Sequence, residues 1–299
     1  MTLFQEFGIT QELAIMLAID LGIAVLLLTL MRYMQGWSAK VNSSDELAVR
    51  DNFAFGISTA GAVSALGIVL TGAITGAAAH TYAEEAIGMA AYGICGLLLI
   101  KLGRYVHDKI ALNQVDKTAA ILKGNIPVAI VDAAAAMATA LVIRAVLIWA
   151  EDLTVNTFIA IVSAFAVSQL MLVVLTRALE VFYRRRNQGH SLQQALEEGN
   201  TALALRHAGS MLAMGFTFNA ASHFMVYDPT TYITNLFGWF MFSLIMLLVL
   251  SILLWIVKKL VLARIDLSDE IERQQNIGLA AVEMAISISI AVIMTGLMA

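Results

Sequence analysis

Long apolar runs dominate the sequence, and short segments that carry most of its charge separate them. A helix of about 20 apolar residues is long enough to cross the hydrocarbon core of a bilayer. Eight such runs can be drawn, at residues 13–34, 53–75, 86–106, 127–149, 154–177, 201–221, 232–257 and 277–298. Arg206, His207 and Asn219 interrupt the sixth run. The pattern predicts an all-α polytopic membrane protein with eight transmembrane helices.

The composition agrees with a membrane location and disfavours familiar enzyme classes. Hydrophobic residues make up 60% of the 299-residue chain and charged residues 13%, with a mean hydropathy of +0.82. These values lie outside the range of ordinary soluble domains. The first run contains Asp20 and follows no basic segment, so we interpret it as an uncleaved helix rather than a signal peptide. The sequence lacks the glycine-rich phosphate loops and the common hydrolase motifs, and we predict neither an enzyme nor a cofactor.

Basic residues cluster in four of the segments between the runs. Sixteen of the 18 Lys and Arg residues fall in or beside residues 35–51, 107–124, 183–199 and 258–275, which we call the first to fourth connections. Because basic connections stay on the cytoplasmic side, we predict cytoplasmic connections and both termini outside. Ser191 and Ser268 are placed to cap short amphipathic helices there. We expect these connections to contact lipid head groups rather than nucleic acid, and a soluble cytoplasmic partner is a further candidate.

An asparagine recurs at the start of every second run, at intervals of 73, 75 and 76 residues. The four positions are Asn52, Asn125, Asn200 and Asn276. An N-cap that accepts a hydrogen bond from a free backbone N–H is the expected role, and a polar mouth is the alternative. The spacing predicts four helical hairpins that share one orientation. They either surround an axis normal to the membrane or pair as two four-helix halves, residues 1–150 and 151–299.

Seven residues after each asparagine, a polar side chain lies inside a predicted span: Thr59, Asp132, His207 and Glu283. Two helical turns place them about 10 Å into the membrane, and equivalent hairpins would bring them face to face at one depth. Such a set favours a proton relay, a cation-selectivity ring or a metal site of Asp132, His207 and Glu283. The competing interpretation is a structural network in which Arg206 pairs with Asp132 or Glu283.

A second set of polar residues, the outer polar layer, stands 19 residues after each asparagine, near the outer end of the helix that the asparagine starts. Its members are Thr71, Arg144, Asn219 and Thr295. The layer suits an outer gate, and it suits plain hydrogen bonding between helices equally well. Asp20 is the only strongly polar residue inside the first run and is a further candidate for the inner site.

The segments around two of the asparagines carry a resemblance to a known family. Glu197-Glu198-Gly199-Asn200-Thr201-Ala202-Leu203-Ala204 and Leu122-Lys123-Gly124-Asn125-Ile126-Pro127-Val128-Ala129 join a polar connection to an alanine-rich helix. This pattern resembles the DUF350 (UPF0719) family of bacterial inner-membrane proteins, present here as tandem copies of a four-helix unit. Asp51-Asn52 and Gln275-Asn276 depart from the Gly-Asn pair. The resemblance implies a bacterial inner-membrane location and no particular activity.

Two hypotheses of function follow. The first is a channel or transporter for a small cation or protons, in which Asp132, His207 and Glu283 form the site, Thr59 and Asp20 contribute, and Arg206 tunes its charge. The second is a non-transporting membrane scaffold, or a partner in envelope-stress responses, whose buried polar residues are structural. Homo-oligomers are compatible with both.

Overall fold

A computed structural model of the protein describes residues 10–74, 81–149, 154–225, 228 and 231–298. These residues contain no strand and are almost entirely helical, which confirms the all-α prediction. The long helices are α1 (Gln11–Ala39), α2 (Phe53–Ile74), α3 (Tyr82–Val106), α4 (Ile126–Trp149), α5 (Val155–Arg186), α6 (Thr201–Ser222), α7 (Tyr232–Val261) and α8 (Ile277–Met298).

Seven of these helices are long and apolar enough to cross a membrane, and α6 is the exception within the described residues. Arg206, His207 and Asn219 lower the hydropathy of α6, yet most of its side chains are buried against other helices. A helix enclosed by protein needs no apolar outer surface. The fold is therefore that of a multi-helix integral membrane protein.

The four connections contain short helices rather than open loops. Their bounds are Asp45–Val49, His107–Ala111, Lys117–Leu122, Leu192–Glu197 and Asp269–Arg273. Ser191 caps its helix as predicted and forms a reciprocal capping box with Gln194. The prediction for Ser268 was wrong, because its side chain makes no cap bond. The Asp266 carboxylate replaces it and accepts the backbone N–H groups of Ser268 and Asp269 at 3.0 and 3.1 Å.

We call the helices that lead into the connections outgoing (α1, α3, α5 and α7) and those that follow them returning (α2, α4, α6 and α8). The two groups begin with different N-caps. Thr10, Thr81 and Thr154 cap α1, α3 and α5 with their side-chain oxygens. The returning helices α2, α4, α6 and α8 all begin at the recurring asparagines. The residue before each asparagine has a positive φ, which is +85° and +99° at the glycines and 49° and 55° at Asp51 and Gln275. The departures from Gly-Asn in the sequence therefore leave the backbone turn unchanged.

The returning helices pack side by side in the order α2, α4, α6, α8 and form an open row. The outgoing helices α1, α3, α5 and α7 lie along this row, each next to the returning helices that flank it in the chain. Among the described residues α2 and α8 form no packed pair, so the row does not close into a ring. The α4–α6 junction joins residues 1–150 to residues 151–299 through the same kind of contact as the other two junctions.

Small residues allow the close approach of neighbouring returning helices. A Cβ added to Gly61 of α2 would lie 2.3 Å from the Cβ of Ala133 of α4. One added to Gly209 of α6 would lie 2.8 Å from the Cα of Met284 of α8. Helix association in membranes depends on this kind of packing, because lipid tails are as apolar as the helix surfaces themselves.

Gly61→Ala tests the close packing of α2 on α4. We expect it to lower the thermal stability in detergent, at a cost of about 1–3 kcal/mol for overpacking. Gly22→Ala is the matched control, because an added Cβ there meets open space and alanine favours the helix. Thermal unfolding followed by circular dichroism measures both variants. Equal melting temperatures for the two would contradict the tight α2–α4 contact.

Candidate functional site

The recurring asparagines are N-caps, as the sequence predicted. Their side-chain oxygens accept the backbone N–H three residues on, at 3.0, 2.9, 2.9 and 3.0 Å along the chain. The side-chain amides of the first three also reach the next connection along the chain. Asn52 donates to the carbonyls of Ile121 and Leu122, each at 3.2 Å. One side chain therefore starts a helix and joins it to the following hairpin.

The third and fourth asparagines complete the series. Asn200 donates to the carbonyl of Glu272 in the fourth connection at 3.4 Å, as Asn125 does to the carbonyls of Leu196 and Glu197 at 3.2 and 3.0 Å. Asn276 begins the last returning helix of the chain. Its amide donates to the carboxylate of Glu270 in its own connection at 3.0 Å.

Asp132 is the centre of the first buried ion-pair network, which we call the Asp132 network. Arg104 of α3 donates to both carboxylate oxygens, at 3.0 and 2.6 Å. Lys117 donates to one oxygen at 2.8 Å and the hydroxyl of Ser58 to the other at 2.5 Å. The guanidinium of Arg104 also donates to Gln35 of α1 at 2.6 Å. Asp132, only 1% exposed, thus ties three other parts of the chain to α4.

The first network carries no net formal charge. Lys117 makes a second ion pair, with Asp108, at 2.5 Å. Two basic side chains therefore face two carboxylates. Charges removed from water are costly unless they are paired and hydrogen-bonded, and this arrangement meets that requirement.

Glu283 is the centre of a second network, which we call the Glu283 network. Arg206 of α6 and Lys258 of α7 each donate to its carboxylate at 2.8 Å. Arg206 also pairs with Glu272 of the fourth connection at 2.8 Å. The pairing of Arg206 with Glu283, proposed from the sequence as the structural alternative, is confirmed. Two basic and two acidic side chains again balance.

The two networks occupy equivalent positions in the two halves of the chain. Ser58 and Arg206 each stand six residues after their asparagine, and each contacts the carboxylate seven residues after the next asparagine. At the intervening junction the corresponding neighbours are Val131 and His207, both buried. The sequence singled out the position seven residues after each asparagine and, at position six, recognised Arg206 but not Ser58 as part of the site.

His207 and Thr59 do not join either network. The Nε2 of His207 and the hydroxyl of Thr59 have no hydrogen-bond partner within the described part of the chain. His107, at the end of α3, lies near His207, Lys117 and Asp132, and both of its ring nitrogens also lack a partner there. The four predicted side chains therefore do not form one ring. Asp132 and Glu283 belong to separate ion-pair networks, while Thr59 and His207 stand outside both.

Asp20 lies away from the predicted inner site. It is buried in α1 beside Glu85 in the first turn of α3. Fifteen residues of helix separate it from Gln35, the α1 residue that reaches Arg104, which corresponds to about 22 Å. The residue of α1 that contacts the Asp132 network is Gln35.

The outer polar layer is joined through Arg144. Its guanidinium donates to the hydroxyl of Thr71 and to the side-chain oxygen of Asn219, each at 3.1 Å. Arg144 thereby links α2, α4 and α6. Thr295 stands apart and donates to the carbonyls of Phe216 and Ala291 at 3.0 Å. Three of the four predicted members thus meet, in hydrogen bonds between helices.

Each ion-pair network borders a cavity. A cavity of about 180 Å³ is lined by Gln35, Ser58, Arg104 and Lys117. One of about 260 Å³ is lined by Arg206, His207, Lys258 and Glu283. The four basic side chains keep between 11% and 22% of their surface exposed. In the described residues no group of three or more His, Cys, Asp or Glu side chains is placed to hold a metal ion.

The sequence missed three of the four basic side chains that contact Asp132 and Glu283, and recognised only Arg206. Arg104, Lys117 and Lys258 were assigned to the positive-inside pattern, since each stands in or beside a connection. Long side chains at helix ends can reach inward as well as outward, and spacing does not decide between the two directions. The sequence did carry one signal. It places two carboxylates inside the spans and few basic residues there, and each buried acid requires a cation within reach.

The fold and the networks define a polytopic helical membrane protein, and each half of its chain contains one buried ion-pair network. The family model described as Domain of Unknown Function (DUF350) matches residues 8–147 and 152–298, and the chain belongs to this family as two tandem copies. Each matched segment contains one network, with Asp132 in the first and Glu283 in the second. No curated protein and no solved structure matches the chain.

Asp132→Asn tests the contribution of the first network. It leaves Arg104 and Lys117 facing a neutral group, and breaking a buried ion pair costs about 3–5 kcal/mol. We expect a marked fall in the melting temperature in detergent. Glu198→Gln is the control, because its ion pair with His190 is exposed and such pairs contribute about 0–1 kcal/mol. A melting temperature for Asp132→Asn equal to that of the control would contradict a stabilising role.

Asn125→Ala and Asn276→Ala separate the capping role from the bonds between hairpins. Both remove an N-cap, worth about 1 kcal/mol. Asn125→Ala also removes two bonds to the third connection, whereas Asn276→Ala removes one exposed bond to Glu270 within its own connection. We therefore expect Asn125→Ala to lower the melting temperature further. Equal losses would show that the bonds between connections add nothing to stability.

Proposed function

We propose that the protein is a scaffold of the bacterial inner membrane, whose buried polar side chains hold its helices together. The observation that carries the proposal is that Asp132 and Glu283 are each engaged by two basic side chains from other parts of the chain. Such groups are expensive in a membrane and are otherwise a mark of a transport pathway.

The saturation of Asp132 favours a structural role over cation binding. A carboxylate can accept about four hydrogen bonds. Asp132 accepts four, two from Arg104 and one each from Lys117 and Ser58. A metal ion or small cation would have to displace one of these donors, and it would then lie beside two basic side chains that carry charge of the same sign. A cation pathway through this site would therefore begin by breaking its strongest contacts.

The proposed orientation places the four connections in the cytoplasm and both termini in the periplasm. It rests on the clustering of basic residues in residues 35–51, 107–124, 183–199 and 258–275. In this orientation α6 spans the membrane with the other seven long helices, and the four hairpins are equivalent units. The connections present helical segments on the cytoplasmic side, and we propose this surface as the docking site for a soluble partner.

Proton movement is a second candidate function, and the two histidines favour it. His107 lies within electrostatic range of His207 and Asp132, and both histidines are buried with ring nitrogens that lack partners in the described residues. Buried polar groups of this kind commonly bond to ordered water, and a neutral imidazole can accept a proton at one ring nitrogen and donate one from the other. Water between two such imidazoles would make the start of a proton path beside the Asp132 network.

Proton flux into sealed liposomes distinguishes the two functions. The purified protein is reconstituted with a pH-sensitive dye inside the liposomes and an imposed pH gradient, and a proton ionophore confirms that the vesicles are sealed. The scaffold function predicts flux equal to that of protein-free liposomes. Flux above that level would overturn it. Loss of such flux in His207→Gln, with an unchanged melting temperature, would assign the pathway to the histidines.

A further inference from the structure

The returning helices carry small residues on the face that meets the next helix of the row. We call this the forward face and define it by positions 9, 13 and 20 after each asparagine. In the first three returning helices these positions are all buried. They are Gly61, Ala65 and Gly72 in α2, Ala134, Ala138 and Ala145 in α4, and Gly209, Ala213 and Ala220 in α6.

The last helix of the row, α8, repeats this face although no helix of the described chain covers it. The corresponding residues are Ala285, Ser289 and Gly296, and all three are exposed. A Cβ added to Gly296 would meet open space. An outward surface that faces only lipid has no need of small residues. On α7 the exposed residues are large, such as Leu244, Leu248 and Ile252.

The opposite end of the row shows the complementary feature. We define the rear face of each returning helix by positions 8 and 15 after its asparagine. In α4 and α6 these residues are buried against the preceding helix: Ala133 and Ala140, and Ala208 and Gly215. In α2 they are Ala60, which is exposed, and Gly67, where an added Cβ would meet open space.

The contacts inside the row show how the two faces fit. Position 9 of one helix meets position 8 of the next, as Gly61 meets Ala133 and Gly209 meets Met284. The same register would place Ala285 of α8 against Ala60 of α2. The α4–α6 junction already has alanine at both positions, with Ala134 at position 9 and Ala208 at position 8, and both are buried. The returning helices are parallel, because each asparagine bonds to the connection that starts the next one.

The hydrogen bond from an asparagine amide to the next connection also has exposed candidate groups at both ends of the row. The first three asparagines donate to carbonyls three or four residues before the next asparagine. The equivalent residues before Asn52 are Ala48 and Val49, both exposed. Asn276 is also exposed, and within the described residues its amide bonds only to Glu270 of its own connection.

The charge pattern is compatible with such a junction. At positions 6 and 7 it would bring Val282 of α8 against Thr59 of α2. The α4–α6 junction already packs with a valine, Val131, at position 6 and no ion pair to His207. Joining α8 to α2 would bury no unpaired charge.

We infer that the forward face of α8 binds the rear face of α2 in a second copy of this chain, and so continues the row from one molecule to the next. The contact is head-to-tail. Repetition of a head-to-tail contact gives a closed ring where the rotation closes and an open filament where it does not. The inference goes beyond the scaffold function and does not require it, because a proton-conducting protein could assemble through the same faces.

Disulfide crosslinking between Ala60→Cys and Ala285→Cys tests the contact. Cys95, the only native cysteine, is first replaced by serine. Oxidation of membranes that contain the double variant should give dimers and larger species on non-reducing gels. Each single variant alone should stay monomeric, since a head-to-tail contact brings unlike faces together. Co-expression of the two single variants should restore the dimer.

The controls decide between this contact and the alternatives. Leu26→Cys with Leu248→Cys, at exposed positions on α1 and α7, measures random collisions in the bilayer. Crosslinking of Ala60→Cys with Ala285→Cys no stronger than this pair would show that lipid covers both faces and would overturn the inference. A dimer from Ala285→Cys alone would overturn it in favour of a symmetric α8–α8 contact.

A bulky substitution gives a second, independent readout. Ala285→Trp should shift the native mass in mild detergent to that of the monomer. It should leave the melting temperature of the monomer unchanged, because the side chain points away from the chain's own helices. An unchanged oligomer mass in Ala285→Trp would contradict the proposed contact. Proton flux is measured separately, so failure of this inference leaves the test of the scaffold function intact.

Discussion

The cost of burying charge in a membrane governs the interior of this protein. Asp132 and Glu283 lie about two helical turns inside, where an unpaired ionised group costs about 2.5–3.5 kcal/mol on insertion scales. Each is neutralised by two basic side chains that come from other helices or connections. Because these partners are distant in sequence, neutralising the charge also fixes the arrangement of the helices. The outer layer repeats this on a smaller scale, with Arg144 between Thr71 and Asn219.

Close contact between the returning helices comes from packing rather than from the ion pairs. Lipid tails offer a helix the same apolar surroundings as another helix does, so association depends on close fit. Glycine and alanine at matched positions of α2, α4 and α6 provide that fit, and the asparagine caps set the register between neighbours. The result is a row with two unlike ends. A ring of four hairpins would have hidden both ends, and the two networks would then have faced a common axis.

The sequence predicted the helices and the asparagine caps well, because hydropathy and capping are local properties. The candidate site was predicted only in part. Asp132 and Glu283 were correctly seen as unusual, but the expected ring of four side chains assumed that the hairpins close around an axis. Arg104 and Lys117 could not be assigned to Asp132, because a long basic side chain near a helix end has two directions open to it. Asp20 was misplaced, since a helix position gives depth only when the helix ends are known.

The account rests on the claim that the buried polar groups join helices and do not line a continuous path. A high-resolution structure of the protein in lipid nanodiscs, with its ordered waters, tests this most directly. We predict that Asp132 and Glu283 each hold their two basic partners, and that no file of water connects the cavities beside the two networks with the layer around Arg144. A continuous water file past His107 and His207 to the outer layer would contradict it.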